Sequence, residues 1–255
     1  MEKNRDLRTL ILAAGKGTRM KSDLPKVMHS LAERPVLSYV LDVAKAIGSQ
    51  GTVVIVGHGA DIVRKAFPSP DLTFVRQHQQ LGTGHAVLQA KGCFSDYEGI
   101  VVILCGDVPL LRPETVSDLV SRHRAEKSAL TVLTAVLDDP GTYGRIVKND
   151  EGRVVKIVEQ RDATEEEKRI REINTGIYCA GSRFLFSAVE DIGRDNAQGE
   201  YYLTDIVGIA VAKGHRVGAL VAGDALEVMG INTPDDLAMA RRKMEDRRRH
   251  KGQRA

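Results

Sequence analysis

The sequence predicts an α/β fold in which a mainly parallel sheet is flanked by helices and continues into a β-rich lobe. Two observations predict it. Short runs rich in β-branched residues alternate along the chain with helix-like stretches, which is the rhythm of successive βαβ units. Two of these runs, residues 10–14 and 100–104, are apolar throughout, as expected for parallel strands that are covered on both faces. At 255 residues the chain is long enough to bury such a core as one domain.

In chain order, the first half alternates between the two element types. Its predicted strands are residues 9–14, 52–56 and 100–104, and its predicted helices are residues 36–47, 61–66 and 84–89. From about residue 129 to 178 the pattern changes, with strands predicted at 130–136 and 154–159. This segment is the predicted β-rich lobe, continuous with the first half.

The last helix has a recognisable start. Thr233 offers an N-cap, Pro234 suits the first helical position, and two aspartates follow in the first turn. We therefore predict a domain over residues 1–232 and a C-terminal helix with a basic tail over residues 233–255.

Composition excludes several classes of protein. The formal net charge is +3, but residues 241–255 carry eight Lys/Arg and two Asp/Glu, which is +6 and leaves −3 for the rest. A basic charge confined to one end argues against nucleic acid as the main ligand. The three cysteines are widely spaced, so they predict no disulfide framework or metal-binding pair and fit a reducing cytoplasm. The apolar stretch near the N-terminus is too short to cross a membrane.

The strongest motif is a glycine turn directly after the first predicted strand, Leu12-Ala13-Ala14-Gly15-Lys16-Gly17-Thr18-Arg19-Met20, followed by Pro25-Lys26. Glycines at such a turn let backbone N–H groups approach phosphate oxygens closely. Arg19 and Lys26 add cations suited to a polyphosphate. The string is not a P-loop, because it lacks the second Gly-Lys-Ser/Thr, and it is not the dinucleotide fingerprint, because Met20 stands where the third glycine would be. Taken alone, such a turn is as often structural as functional.

Two further strings follow predicted strands or precede helices. Gln77-His78-Gln79-Gln80-Leu81-Gly82-Thr83-Gly84-His85-Ala86 has amides that could pair with a base edge, although such strings are more often polar loops that cap a helix. Leu104-Cys105-Gly106-Asp107-Val108-Pro109 places a carboxylate just past a buried strand. An oxygen ligand in that place suits Mg²⁺, although an isolated aspartate there is more often a turn residue.

These strings resemble the sugar-nucleotide pyrophosphorylases, whose fold is a Rossmann-like α/β nucleotidyltransferase domain. The similarity is greatest to the uridyltransferase domain of the bacterial bifunctional enzymes that make UDP-N-acetylglucosamine, and it extends to about Asn232. Four strings of the second half add to it: Tyr143-Gly144-Arg145-Ile146, Val158-Glu159, Ile173-Asn174-Thr175-Gly176 and Gly199-Glu200-Tyr201-Tyr202-Leu203-Thr204-Asp205. One departure is Cys105, where relatives often have tyrosine, which leaves one pocket contact open.

The resemblance implies three groups of site residues. The nucleotide-binding group is Leu12, Ala14, Gly15, Gly17, Thr18, Gln77, Gln80, Gly82 and Thr83, the last four facing uracil. The sugar-binding group is Gly106, Tyr143, Gly144, Glu159, Asn174, Tyr202 and Thr204. The catalytic and metal group is Arg19, Lys26 and Asp107, with Mg²⁺ bound by Asp107 and Asn232.

The resemblance also implies the reaction: magnesium-dependent transfer of UMP from UTP to N-acetylglucosamine 1-phosphate, in the cytoplasm, as a step of cell-wall precursor synthesis. The partners are these small molecules, with no nucleic acid and no membrane. The chain has no hexapeptide repeats, so we expect no acetyltransferase activity, and the oligomeric state stays open.

Three rival interpretations remain at the level of sequence. One is a pyrophosphorylase for another sugar 1-phosphate or for dTTP. The second is a non-catalytic sensor of nucleotide sugars, which the retained cations and carboxylate disfavour. The third is a nucleic-acid-binding protein, whose binding would depend steeply on salt and on the basic tail.

Overall fold

The computed structural model describes residues 6–252, so the predictions for residues 1–5 and 253–255 lie outside the described part of the chain. The strands are β1 Leu7–Ala13, β2 Ser30–Leu31, β3 Arg34–Pro35, β4 Thr52–Val56, β5 Leu72–Arg76, β6 Ile100–Cys105, β7 Leu130–Val136, β8 Arg145–Lys148, β9 Val154–Val158, β10 Glu172–Gly181 and β11 Val217–Val221. The α-helices are α1 Val36–Ala46, α2 Ala60–Ala66, α3 Thr83–Gln89, α4 Pro113–Glu126, α5 Ser182–Glu190, α6 Asp205–Ala212 and α7 Pro234–Gly252.

The main sheet has the order β11-β7-β10-β6-β1-β4-β5. Strands β6, β1, β4 and β5 run parallel to one another, whereas β10 is antiparallel to both of its neighbours. The hairpin of β8 and β9 joins this sheet through β10, so the predicted β-rich lobe is continuous with the first half. The predicted fold class, a mainly parallel sheet flanked by helices, is confirmed.

Helices cover both faces of the sheet because successive side chains of a strand point to opposite sides. Along β1, Ile11 packs in one core cluster and Leu10 in the other, and both are fully buried. The first cluster receives apolar residues of α1 and α4, and the second receives those of α3, α5 and α6. The apolar runs of the sequence are therefore strands covered on both faces of the sheet, as predicted.

Helix α7 begins at Pro234, as predicted. Thr233 accepts a hydrogen bond from Asp236 N, and the Asp236 carboxylate accepts one from Thr233 N, so the two residues form a reciprocal cap. The helix packs against the body through Ala240, and Arg247 Nη1 donates to Leu110 O at 2.8 Å. Among residues 6–252, no helix is both long and apolar enough to cross a membrane.

Candidate active site

A cleft of about 450 Å³ opens at the carboxyl ends of β1 and β6. These ends lie side by side because Leu12 of β1 is paired with Cys105 of β6. Parallel α/β sheets bind ligands at this edge, where the loops after the strands diverge. The cleft is lined by Leu12, Ala13, Ala14, Gly15, Lys16, Lys26, Val27, Gln77, Gln80, Gly82, Thr83, Ala86, Cys105, Asp107 and Glu200. All three strings of the first half thus contribute to one cavity.

The glycine turn brings Lys26 to the cleft. Gly17 has a φ of +62°, and a Cβ there would lie 2.8 Å from the Cβ of Lys26. Only glycine combines this left-handed backbone with so close an approach. Gly15 and Lys16 are exposed along the cleft. Thr18 and Arg19 are exposed in the following turn and do not line it.

The predicted base-recognition loop is held by its own amides. Gln77 is 4% exposed, and its Nε2 donates to Gly82 O at 3.0 Å. Gln80 Nε2 donates to Ala14 O at 3.2 Å, which ties this loop to the glycine turn. Gly82 has a φ of +114° and packs against the backbone of Tyr201. The side-chain donors of both glutamines therefore also have a structural use.

Lys26 lies between two oxygen-bearing side chains. Its ammonium group forms an ion pair with Asp107 and donates to Asn232 Oδ1 at 3.0 Å. Asp107 O accepts a hydrogen bond from Ile231 N at 2.8 Å, and this contact holds the segment before α7 against the loop that follows β6. Asp107 and Lys26 are mostly buried, with 17% and 16% of their side chains exposed. Residues far apart in the chain thus form one charged cluster.

The donor set of this cluster fits Mg²⁺. A carboxylate oxygen and an amide oxygen converge on one cation, the Lys26 ammonium. Magnesium prefers hard oxygen ligands and completes its shell with water and substrate phosphates, so one or two protein ligands suffice. Within residues 6–252, no group of three His, Cys, Asp or Glu side chains could hold a metal.

Most of the predicted sugar-binding residues form a second cluster beside the cleft. Asn174 N donates to Gly144 O at 2.9 Å, and Thr204 Oγ1 donates to Glu159 Oε1 at 3.1 Å. A Cβ at Gly144 would lie 3.2 Å from Ile157 Cγ2 and 3.5 Å from Glu159 Oε2, so glycine leaves room at the carboxylate. Burial raises the pKa of Glu159, and the hydrogen bond from Thr204 opposes this rise.

A family model for MobA-like NTP transferase domains matches residues 9–184. The chain belongs to this family. Among curated proteins, it is 52% identical to the bifunctional protein GlmU of Geobacter metallireducens over 93% of this chain and 50% of that protein. It is 51% identical to GlmU of Geobacter sulfurreducens, with the same coverage, and 48% identical to GlmU of Halalkalibacterium halodurans over 93% of this chain and 52% of that protein. The chain spans about half the length of the curated relatives it matches.

A solved structure of UDP-glucose pyrophosphorylase complexed with UDP-glucose shares the fold. Its TM-score is 0.75 at 17% identity, and the match covers 94% of this chain and 98% of that one. The family match and the GlmU relatives confirm the resemblance that the motifs predicted. The protein is therefore a nucleotidyltransferase-family domain with the Rossmann-like fold.

The two clusters of this NTP transferase are joined by Cys105. Its thiol lines the cleft and donates to Gly176 O at 3.4 Å, on the side of the predicted sugar-binding residues. Burial, followed by the charge of Asp107, raises the pKa of Cys105 to about 12. The thiol is therefore neutral, so it acts as a packed donor and not as a nucleophile.

Two predicted sugar-site tyrosines have hydroxyl groups that are engaged by the protein. The Tyr143 hydroxyl lies 3.6 Å from Met229 Sδ, and burial raises the pKa of Tyr143. The Tyr202 hydroxyl accepts a hydrogen bond from Gln198 Nε2 at 2.8 Å. Tyr143 and Tyr202 therefore support the pocket through these contacts.

Gly106 is another predicted sugar-binding residue. Its N–H donates to Leu12 O at 2.9 Å, which fixes the turn that carries Asp107.

Sequence reasoning missed two features of the site. Glu200 lines the cleft, and its only signal was its place inside a family string. The backbone of Tyr201 bridges the base loop and the sugar side, because Tyr201 N donates to Leu81 O at 2.8 Å and Tyr201 O accepts from Gly84 N at 2.8 Å. Gly82 and Gly84 leave room for this close approach, but glycine does not indicate which segment approaches.

Proposed function

We propose that this NTP transferase transfers UMP from UTP to N-acetylglucosamine 1-phosphate in a magnesium-dependent reaction that releases pyrophosphate. One observation carries the proposal: Lys26, Asp107 and Asn232 meet at the end of the cleft that the glycine turn lines. This arrangement puts a cation and two hard oxygens beside backbone N–H groups, as phosphoryl transfer requires. The GlmU relatives and the sugar-side cluster support the choice of substrates.

The proposed chemistry is an in-line displacement. A phosphate oxygen of the sugar 1-phosphate attacks the α-phosphorus of UTP, the new P–O bond forms, and the bond to the β-phosphate breaks as pyrophosphate leaves. No covalent enzyme intermediate is needed. Catalysis then depends on position and charge, because little acid–base chemistry is required.

Each charged residue has a proposed role in this displacement. Lys26 stabilises the reacting phosphate, and Arg19 neutralises the departing pyrophosphate. Arg19 is exposed outside the cleft lining, so its role requires the side chain to reach across the glycine turn. Asp107 and Asn232 are the residues proposed to hold magnesium, which would neutralise phosphate charge when bound.

Recognition is proposed to be divided between the two halves of the sheet. The glycine turn, with Leu12, Ala14, Gly15, Gly17 and Thr18, receives the triphosphate, and the loop with Gln77, Gln80, Gly82 and Thr83 receives uracil. The sugar is received by Gly106, Tyr143, Gly144, Glu159, Asn174, Tyr202 and Thr204. We further propose that residues 1–232 form the transferase domain, that residues 233–255 form its helix and basic tail, and that it works in the cytoplasm on small molecules alone.

A substrate panel tests the proposal. Magnesium-dependent release of pyrophosphate is measured with UTP, dTTP and CTP, each against N-acetylglucosamine, glucose and N-acetylgalactosamine 1-phosphates. We expect the highest kcat/KM for UTP with N-acetylglucosamine 1-phosphate. Activity confined to glucose 1-phosphate would overturn the sugar assignment. Silence across the panel, with retained binding of the nucleotide sugar, would make the protein a sensor.

A further inference from the structure

Among the described residues, only the oxygen of the Asn174 side-chain amide is hydrogen-bonded. Its Oδ1 accepts a hydrogen bond from Gly176 N at 3.1 Å and another from the Tyr178 hydroxyl at 3.0 Å. A backbone N–H can only donate, so the atom facing Gly176 N is the oxygen of the amide. None of the described residues accepts a hydrogen bond from Asn174 Nδ2. The two N–H donors of this amide are therefore the part left for a ligand.

A distortion of β10 makes this arrangement possible. The pairing of β10 with β7 shifts register between Asn174 and Tyr178. Gly176 lies inside this bulge with a φ of +76°, and a Cβ there would lie 2.8 Å from Cys105 Sγ. Only glycine fits, and its N–H points back to the Asn174 side chain instead of to a neighbouring strand. At the bulge, the Gly176 N–H is therefore free of strand pairing and donates to the Asn174 side chain of the proposed sugar pocket.

Tyr178 supplies the second donor from the core. Its side chain is 1% exposed and belongs to the cluster that packs against α5 and α6. Its hydroxyl has one hydrogen-bond partner among the described residues, Asn174 Oδ1. Burial keeps the pKa of Tyr178 well above its ordinary value, so the hydroxyl keeps its proton. No string of the sequence analysis pointed to this residue.

The neighbouring carboxylate has the opposite character. Glu159 accepts from Thr204 Oγ1 through Oε1, and its ionised form can offer a ligand only acceptors. Asn174 N donates to Gly144 O at 2.9 Å, and a Cβ at Gly144 would lie 3.5 Å from Glu159 Oε2, so the carboxylate and Asn174 both lie next to Gly144. The pocket therefore combines a fixed donor with a fixed acceptor.

We infer that Tyr178 is a positioning residue for sugar selection: with Gly176 N, its hydroxyl locks Asn174 so that the amide offers the sugar N–H donors alone. The inference rests on the proposed function. It deepens that function, because the preferred sugar 1-phosphates must carry an acceptor toward Asn174 and a hydroxyl donor toward Glu159. A sugar that lacks either group leaves the Asn174 amide or the Glu159 carboxylate unpaired in the complex and loses affinity.

Tyr178→Phe tests the inference, since it keeps the ring and removes only the hydroxyl. We expect the KM for the sugar 1-phosphate to rise roughly three- to tenfold, which is the effect of one hydrogen bond. The KM for UTP, the kcat and the thermal midpoint should stay close to wild type. Tyr97→Phe is the matched control, because the Tyr97 hydroxyl donates to Ile100 O at 3.0 Å away from the site. It should leave both KM values unchanged.

Asn174→Asp separates positioning from simple packing. Aspartate keeps two acceptors for Gly176 N and Tyr178 but has no N–H donor for the sugar. We expect a larger rise in the KM for the sugar 1-phosphate, and we expect Tyr178→Phe to add little to it in the double variant, since the donor it positions is gone. Additive effects, or an equal rise in the KM for UTP, would overturn the inference.

Calorimetric binding of UDP-N-acetylglucosamine to the same proteins distinguishes failure of the positioning role of Tyr178 from failure of the proposed function. If wild type binds and Tyr178→Phe binds more weakly, the inference is supported even without turnover. If wild type and Tyr178→Phe bind equally, the positioning role fails while the proposed function stands. If wild type does not bind, both fail.

Discussion

The proposed phosphate end and the proposed sugar end of the cleft are built on different physical principles. The phosphate end gathers full charges, with Lys26 against Asp107 and Arg19 exposed nearby. The proposed sugar end places the Glu159 carboxylate beside a neutral amide, Asn174, and each is fixed by hydrogen bonds. Charges act over distance and tolerate small displacements, whereas hydrogen bonds require direction. We therefore propose that the first end supplies rate and the second supplies selectivity.

The largest expected effect comes from the carboxylate of the phosphate end. Asp107→Ala should lower kcat by at least 10²–10³-fold, the order of magnitude seen when one group that stabilises developing charge is removed. The fold should persist, because Asp107 holds the neighbouring segment through its backbone oxygen. Pyrophosphate release and circular dichroism measure the two quantities. Asp118→Ala, which removes an exposed carboxylate from α4, is the control, and retained magnesium-dependent turnover in Asp107→Ala would refute the assignment.

A substitution of Lys26 tests whether its ammonium group competes with a divalent metal ion for the oxygens of Asp107 and Asn232. Its ammonium occupies the oxygens of Asp107 and Asn232, so Lys26→Met should tighten binding of Mn²⁺ in the absence of nucleotide by roughly three- to tenfold. The same change should lower kcat on the order of 10²-fold, since the charge on the reacting phosphate is lost. Titration of free Mn²⁺ by electron paramagnetic resonance measures the affinity, with Lys45→Met on the exposed face of α1 as control. Weaker Mn²⁺ binding would contradict the competition.

Glu159 gives the sugar end a pH dependence. Because burial raises its pKa, Glu159 takes up a proton at a higher pH than an ordinary glutamate and then loses acceptor capacity. The kcat/KM for the sugar 1-phosphate should therefore fall as the pH is lowered through this raised pKa. Glu159→Gln cannot titrate, so its profile should lack that limb and lie roughly tenfold lower at neutral pH. The substrate phosphate titrates in both proteins, so identical profiles would exclude a role for Glu159.

The smallest effect on activity is expected from His123, which lies outside both ends. Burial, followed by the charge of Arg124, lowers its pKa from 6.5 to about 4. Between these values the unfolded chain binds a proton that the native state does not, so its share of stability is complete above pH 6.5 and is lost as the pH falls toward 4. Urea unfolding at neutral and acidic pH should show this loss in wild type and less of it in His123→Asn. Both KM values at pH 7 should stay the same, which would separate acid instability of the scaffold from the pH response of Glu159.

Local sequence patterns predicted several of the helices and strands around the candidate site. The apolar runs of β1 and β6, the helix α1 and the start of α7 appear where the sequence placed them, within one or two residues. Each depends on neighbouring residues, such as a buried run or a cap at Thr233. The pairing of β10 between β6 and β7, antiparallel to both, was not predicted. It joins segments far apart in the chain, and periodicity carries no information on partners.

The sequence by itself determined which chemical groups the proposed site has available: two cations, a carboxylate after a buried strand, and glycines where the backbone must turn. Only the tertiary structure decided how these groups meet. Lys26 reaches Asp107 and Asn232 across 81 and 206 positions of the chain, and Tyr178 orients Asn174 from inside the core. Such contacts depend on strand order and register, which are set by the packing of the whole sheet and not by the residues on either side.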